Sequence, residues 1–540
     1  MFTDAIELNL KLTISQKSVD IAAGNVKLWE LDLHNWGFTG RAEFAVSLVH
    51  EDDSLFELFT GSETVQVELK FKPYYIPEGT SVEYVELKGL VTHKAITAEQ
   101  TIERGPLKGN PVVYRMYEIF FVDPAQAVWK CHRPLELMTD KSVKDLLQAH
   151  KTSRINLNFQ WKVLNEKLPM LALYLGSEAG KADFYDFVMW YVDTRNGIWS
   201  FDASKNSYTL SETKDTEGEP DNLNKDAVQS LRMDFPEPPR ERLRLLNSFA
   251  ENPQTKKIEN KLAMEGITRD ILVNYPVTSD LNNREALEKK RQKIREHELL
   301  LYFSSYPMLC LIPGKFLKLE KGLWSENLYT TGKTYRIRSL HIKAGATDAN
   351  PDSDRDMPFN RYEMEMCSRL ETKDETWQEL PEYVPPAYPV YLEGLVVSEH
   401  GDKDEETYQI HEDSKTSQRY YKVKIPLLNN QELLMPFMPL IQSGHFYFPV
   451  YKGARVLVAL EFDHATMAGC LDWRGEAQVP ADTQGNRIMM GKTPTSRTAI
   501  SHVYQDNLPV FAMERQEEKD TESITFSQGR LVIQTSEKKG

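Results

Sequence analysis

Few residues of this chain could carry chemistry, and their spacing argues against most of what they suggest. Gly491-Lys492-Thr493 is spelled like the end of a phosphate-binding loop, where a lysine meets the outer phosphates and a hydroxyl meets magnesium. The nearest upstream glycine, Gly485, leaves five residues between instead of four, and Ile488-Met489-Met490 would put apolar side chains where backbone amides should cradle phosphate. The four cysteines, Cys131, Cys310, Cys367 and Cys470, are far apart and form no C-x-x-C pair. They indicate neither a zinc site nor a disulfide framework, and buried reduced thiols are expected. No G-x-S-x-G elbow, H-E-x-x-H helix or glycine-rich dinucleotide turn occurs. With 80 Asp and Glu residues, a pair of carboxylates singles out nothing. Tyr420, Tyr421, Lys422 and Lys424 form a modest aromatic and basic patch of the kind that stacks single strands or sugars. The formal charge of -15 opposes a nucleic-acid role, which relies on clustered Lys and Arg. No catalytic, cofactor-binding or metal residue is assigned, no cofactor is expected, and the reading is of a protein that is not an enzyme.

The elements that would hold such residues are mostly strands. At 540 residues the chain has room for three to five domains of roughly 100–200 residues each. Its 41% hydrophobic and 27% charged residues are an ordinary soluble balance. At the amino terminus Ile6, Leu8, Leu10, Leu12 and Ile14 alternate with polar residues, which is a half-exposed strand and no signal peptide. No run approaches the roughly 18 apolar residues of a membrane span, so synthesis as a soluble cytoplasmic protein is expected. Strand patterns follow at Val65–Phe71, Val82–Val91 and Tyr114–Val122. Ser142 is placed to cap a helix through Leu147. In Asp183–Glu212, Phe184, Phe187, Val188 and Tyr191 recur at helix spacing, Asn196-Gly197 is a stop, and two strands hinge on Lys205-Asn206. Ser211–Pro239 reads as an exposed loop or linker, and Leu281–Leu300 as a solvated helix with interleaved ion pairs. Strands return over Tyr302–Ala344, while Thr347–Asp356 and Trp377–Pro389 are Asp- and Pro-rich hinges. His400–Glu406 is a charged loop tip.

Phe446–Trp473 (FYFPVYKGARVLVALEFDHATMAGCLDW) reads as strand, glycine turn, strand, polar turn, strand. Ala454–Phe462 is apolar enough to be buried on both faces. With Val390–Val397 and Tyr420–Pro426 this makes about five short strands, the number in an OB-fold. Leu433–Leu440 suits either a barrel strand or a contact between copies. Near the end, Ser523–Thr535 holds two alternating strands, Ile524/Phe526 and Leu531/Ile533, joined by Gln528-Gly529. One such hairpin is marginal in water. Three copies around an axis would bury its apolar face as a triangular β-prism without open edges; the alternative is a hairpin folded back on its own barrel.

The wording of Phe446–Trp473, an aromatic-Pro pair, a Gly, a V-L-V strand ending in Phe, an acidic turn and a Gly-containing strand, resembles the OB domain of VgrG-like spike proteins and of the needle proteins of contractile phage tails. Phe462-Asp463-His464 and Met435–Gly444 stand where that family usually has a Gly-Asp pair and a Trp-rich strand. A second segment resembles the family's hub: Asp183-Phe184-Tyr185-Asp186-Phe187 matches its start and Gly197-Ile198-Trp199-Ser200-Phe201 its end. The resemblance implies a mainly β chain with some α: residues 1–125 a tube-like β-barrel, 126–250 a mixed α/β hub region, 251–385 a second tube-like barrel with a charged helix, 386–475 an OB-fold domain, and 476–540 a connector and short β-prism needle. It implies a homotrimeric spike that adapts a sixfold inner tube to a threefold needle, punctures a target envelope, and is carried out of the cell in the injection particle. Its partners would be inner tube or tube-initiator proteins, baseplate proteins and a PAAR-type tip protein. Ile524, Phe526, Leu531 and Ile533 would form the needle core, and Ile533, Gln534 and Thr535 would meet the tip. The rival expectation is an OB-fold binder of single-stranded nucleic acid or carbohydrate.

Overall fold

The computed structural model describes residues 1–48, 53–103, 111–176, 181–275, 277–402, 407–412, 418–437, 449–471, 485–493 and 495–537. Of the segments singled out above, residues 403–406, 438–448, 472–484 and 538–540 lie outside these. The chain forms two compact units, one of residues 1–134, 144–166 and 175–386, the other of 135–143, 167–174 and 387–540.

In the first unit the amino-terminal alternation becomes the strand Phe2–Ile14, with Ile6, Leu8, Leu10, Leu12 and Ile14 buried. It belongs to a thirteen-stranded sheet. From Phe2–Ile14 the pairing runs through Val65–Pro73, Val85–Ile102, Val112–Val122, Gly37–Leu48, Val26–His34, Thr334–Ala346 and Phe359–Thr372, and returns to Phe2–Ile14, all antiparallel. The sheet therefore closes on itself, which removes the edges that an open sheet of this length would expose. Fully buried aromatics pack in this unit: Phe44 stacks on Tyr117 at 5.4 Å, and Trp29 meets Tyr362 edge-on at 5.9 Å.

Five helices occur among the described residues: α1 (Ser54–Thr60), α2 (Pro124–Trp129), α3 (Val143–Ala149), α4 (Phe184–Arg195) and α5 (Thr278–Arg291). α4 starts in a capping box, where the Asp183 side chain accepts from Asp186 N–H at 2.9 Å and Asp186 accepts from Asp183 N–H at 3.2 Å. It ends at Asn196 in the left-handed region (φ 56°), and the next residue must be glycine because a Cβ on Gly197 would lie 2.3 Å from the Trp161 ring. The hairpin Ile198–Asp202/Ser207–Ser211 follows as expected, its turn at Asn206 having φ 47°. The carboxylate of Asp123, fully buried, caps α2 and accepts from Phe38 N–H, Gln126 N–H and the Tyr208 hydroxyl at 2.5 Å, tying barrel, helix and hairpin together.

Three expectations are corrected. The charged helix begins at Thr278 and stops at Arg291, and Glu298–Phe303 is a buried strand paired with Val228–Asp234, because Leu299-Leu300-Leu301 is a continuous apolar run fit for a sheet interior. The polar stretch 211–239 is not simply a linker. It supplies that sheet strand and Lys214, which is buried in an ion pair with Glu371 at 2.6 Å, and Glu371 also holds Arg336 at 3.0 Å. Of the thiols only Cys310 is buried; Cys131 and Cys470 are exposed, one in the turn after α2 and one at the end of a strand.

In the second unit a six-stranded sheet runs His411–Glu412, Arg419–Ile425, Val390–Val397, Arg455–Leu460, Ala465–Cys470, with Gln431–Pro436 also paired to Arg419–Ile425. Its core holds Val423, Ile425, Met435, Val456, Val458 and Leu460, and is joined by Leu137, Met170 and Ala172 from the hairpin Leu135–Ser142/Lys167–Tyr174. The hairpin is fastened by Ala172, whose N–H donates to Phe462 O at 2.8 Å and whose carbonyl accepts from the Tyr388 hydroxyl at 2.7 Å. Gly394 leaves the room this core needs, since a Cβ there would lie 2.5 Å from Val423. Along Arg455–Leu460, Val456, Val458, Ala459 and Leu460 are buried as expected, while Arg455 is exposed beside Glu393.

Candidate functional site: one face of the carboxy-terminal sheet

The last described strands are Asn486–Thr493, Ser496–Gln505, Leu508–Glu517, Asp520–Ser527 and Arg530–Ser536, paired in chain order as an antiparallel meander. Asp506-Asn507 (φ 48° and 63°) and Gln528-Gly529 (φ 48° and 71°) make two-residue turns with both φ positive, the geometry that matches strand twist in a tight hairpin. The expected hairpin 523–535 is present, but as the end of a longer sheet. Gly491-Lys492-Thr493 falls inside the first strand, in extended pairing with Arg497 and Ser496, which is incompatible with a phosphate loop.

The register aligns the apolar residues into rows across the strands. One row is Ile488–Ile500–Met513–Ile524–Ile533, and the next is Asn486–His502–Phe511–Phe526–Leu531. The four residues expected to form a needle core therefore share one face, Ile524 opposite Ile533 and Phe526 opposite Leu531. The Phe511 and Phe526 rings are 6.0 Å apart. In the single chain this face is open: Phe526 is 48% exposed, Leu531 58% and Ile533 72%. Beyond these rows the same face turns polar, with Arg515 bonded to both Glu522 carboxylate oxygens at 3.0 Å and also to Glu517, contacts that raise its guanidinium pKa. The reverse face carries Glu514, Ser523, Thr525 and Gln534, and buries Met489 and Ala499 beneath Arg497. Ile488, Ile500, Phe511 and Met513 escaped the sequence reading. The signal was a turn residue pair every ten to twelve positions with alternation between, the pattern of a meander.

Ile533, Gln534 and Thr535 all lie in the last strand, Ile533 in the apolar row, Gln534 on the reverse face and Thr535 in the Arg515–Glu522 row. The outer edge of that strand has no paired strand among the described residues. The aromatic and basic patch fails as a platform. Tyr421 is fully buried, its hydroxyl accepting from Val450 N–H at 2.9 Å, and Lys422 is held by Glu399 at 3.3 Å and Glu432 at 3.4 Å. The reason is alternation: side chains at 421 and 423 enter the core while 420, 422 and 424 face outward. Among the described residues no group of His, Cys, Asp and Glu is placed to hold a metal, and no helix is long and apolar enough to cross a membrane.

A closed ring of strands with a capped helix and hairpin, a separate six-stranded sheet, and a terminal meander define a VgrG-like, mainly β fold. Two solved structures carry this likeness: a chain of the PdpA–VgrG complex in its lidless form, with a TM-score of 0.71 at 13% identity over 99% of each chain, and a chain of the half-lidded Francisella PdpA–VgrG complex, with the same score and identity over 99% of this chain and 88% of that one. No protein-family model matches the chain, and neither does any curated protein.

Proposed function

We propose that this chain is the structural spike of a phage-tail-like contractile injection system, acting as a homotrimer that caps the inner tube and is driven into a target envelope. The observation that carries the reading is the open apolar face of the meander, where Ile524, Phe526, Leu531 and Ile533 extend rows that begin in the first three strands. A single-layer sheet with such a face is unstable alone in water, and a threefold axis lets three copies cover one another as a prism. In this reading residues 1–385 form the hub: 1–125 and 251–385 supply the two tube-like β-domains, which share the strands Thr334–Ala346 and Phe359–Thr372 that close the ring, and 126–250 is the mixed region. Residues 386–475 form an OB-type neck and 476–540 the needle. The hub meets tube and baseplate proteins, and the particle carries the spike out of the cell in which it is made. The work is mechanical and uses no cofactor.

The test is the solution mass of the full chain. A trimer is expected, whereas a stable monomer that binds polyanions would favour the OB-fold binder of single strands or sugars, a reading that the burial of Tyr421 weakens. A PAAR-type tip protein would add to the unpaired edge of Arg530–Ser536 near Ile533, Gln534 and Thr535. Deleting the residues after Glu522 should leave the hub folded and abolish tip capture in a pull-down; undiminished capture would refute the tip assignment.

A further inference from the structure

One polar pair interrupts the apolar rows of the meander. In the row Asn486–His502–Phe511–Phe526–Leu531, His502 lies across the strands from Asn486 on one side and Phe511 on the other, and along its own strand Ile500 and Tyr504 share its face. It is the one histidine in the sequence from Gly485 to Gly540. The Tyr504 ring meets the imidazole edge-on at 5.3 Å. In the single chain His502 is half-buried and Asn486 exposed, and neither side chain takes part in a hydrogen bond or ion pair among the described residues. The charged pair Arg515–Glu522 stands two rows away and is satisfied internally at 3.0 Å.

This is the face that the trimeric reading buries, and the proposal rests on that reading. A threefold axis repeats every residue at one level, so three His502 imidazoles converge there, with three Asn486 amides on one side of them and three Phe511 rings on the other. Polar groups so enclosed need partners. Each neutral imidazole brings a lone pair to the axis, and protonation would instead gather three like charges with no carboxylate in their own row or in the row of Ile488, Ile500, Met513, Ile524 and Ile533. A divalent transition-metal ion takes up all three lone pairs at once. Three imidazoles with water in a fourth position are a familiar zinc arrangement, and imidazole nitrogen suits zinc, copper, nickel and iron. The Asn486 side-chain oxygens would accept from such a water.

We propose that the assembled needle binds one divalent transition-metal ion on its threefold axis through the three His502 imidazoles. A single chain supplies one of the ligands, so the site is incomplete without the other two copies. The ion would be structural: it binds the trimer and not the monomer, and so draws the three chains together.

The test uses the full chain, stripped with EDTA and dialysed against zinc, with metal content read by inductively coupled plasma mass spectrometry and mass by sedimentation velocity on the same sample. One zinc per three chains is expected, and none in a His502→Gln variant that remains a trimer. Cobalt in place of zinc should give intense visible absorption bands with the wild-type chain and not with the variant. A measurement on the wild-type chain alone keeps the site testable if His502→Gln fails to assemble. Zinc at about 100 times its dissociation constant should raise the trimer association constant about 100-fold, which lowers the trimer-to-monomer midpoint about tenfold, and EDTA should reverse the shift. A trimer that takes up no zinc, a His502→Gln trimer that keeps it, or a wild-type midpoint that zinc does not move overturns the metal site and leaves the spike reading standing. A chain that stays monomeric with and without zinc overturns the spike reading and the site with it.

Discussion

Replacing Phe526 with alanine tests the trimeric needle most directly. Phe526 lies between Phe511 and Leu531 in its row and is 48% exposed in the single chain, so about half its surface remains for neighbouring copies to cover. Truncating a fully buried Phe costs about 3–5 kcal/mol, and half of that is about 1.5–2.5 kcal/mol per chain. Three chains lose about 4.5–7.5 kcal/mol together, which at about 1.4 kcal/mol per decade weakens trimer formation by roughly three to five decades. Because the midpoint concentration of a monomer–trimer equilibrium varies as the inverse square root of the association constant, sedimentation velocity across a dilution series would show the midpoint moving to higher concentration by about half as many decades, roughly 1.5–2.5. Thr525→Ala, on the reverse face, should leave the midpoint in place. A shift of less than one decade for Phe526→Ala, or an equal shift for Thr525→Ala, would refute the assignment of this face to the trimer axis.

Two further outcomes concern the first unit. His341 and Asp32 are joined across adjacent strands at 2.7 Å; the hydrogen bond raises the imidazole pKa and lowers the carboxyl pKa. The imidazolium contribution is complete below the usual value near 6.5 and is lost as pH rises through the raised folded value. The carboxylate contribution is present above its usual range near 3.9 and lost as pH falls through the lowered one. Both groups are partly exposed, so His341→Asn should cost only about 0.2–1 kcal/mol at pH 5.5 and nothing at pH 9, read from urea midpoints at the two pH values. Gly197→Ala drives a methyl into the Trp161 ring and should destabilise the first unit by about 1–3 kcal/mol, visible as earlier loss of tryptophan fluorescence on heating.

What the sequence made legible was local. The α4 segment carried its own start, stop and turn signals in Asp183, Asn196 and Asn206, and folds as those dictate. The hairpin 523–535 was legible for the same reason, through Gln528-Gly529 and alternation. Its three preceding strands obscure the alternation, because Thr498, His502 and Arg515 lie on the face of the apolar rows while Met489, Ala499 and Val510 are buried on the reverse face. The sheet strand Val228–Asp234 and the buried Lys214 were hidden by polar composition, since their burial depends on Glu298–Phe303 and Glu371, which are far along the chain. Likewise nothing near Met170 or Ala172 marks them as core of a sheet whose strands begin at Val390.

The hairpin Leu135–Ser142/Lys167–Tyr174 threads the chain between the two units. Because 135–143 and 167–174 belong to the second unit while the flanking residues belong to the first, the polypeptide passes between the units at 134/135, 143/144, 166/167, 174/175 and 386/387. The two units are therefore joined by five covalent crossings of the backbone instead of one linker. A protease cut at 386/387 would sever only one of them. The same threading means that a fragment starting at Ala387 lacks Leu137, Met170 and Ala172 and leaves the Phe462 carbonyl without its donor, so the second unit should be produced only as part of the whole chain.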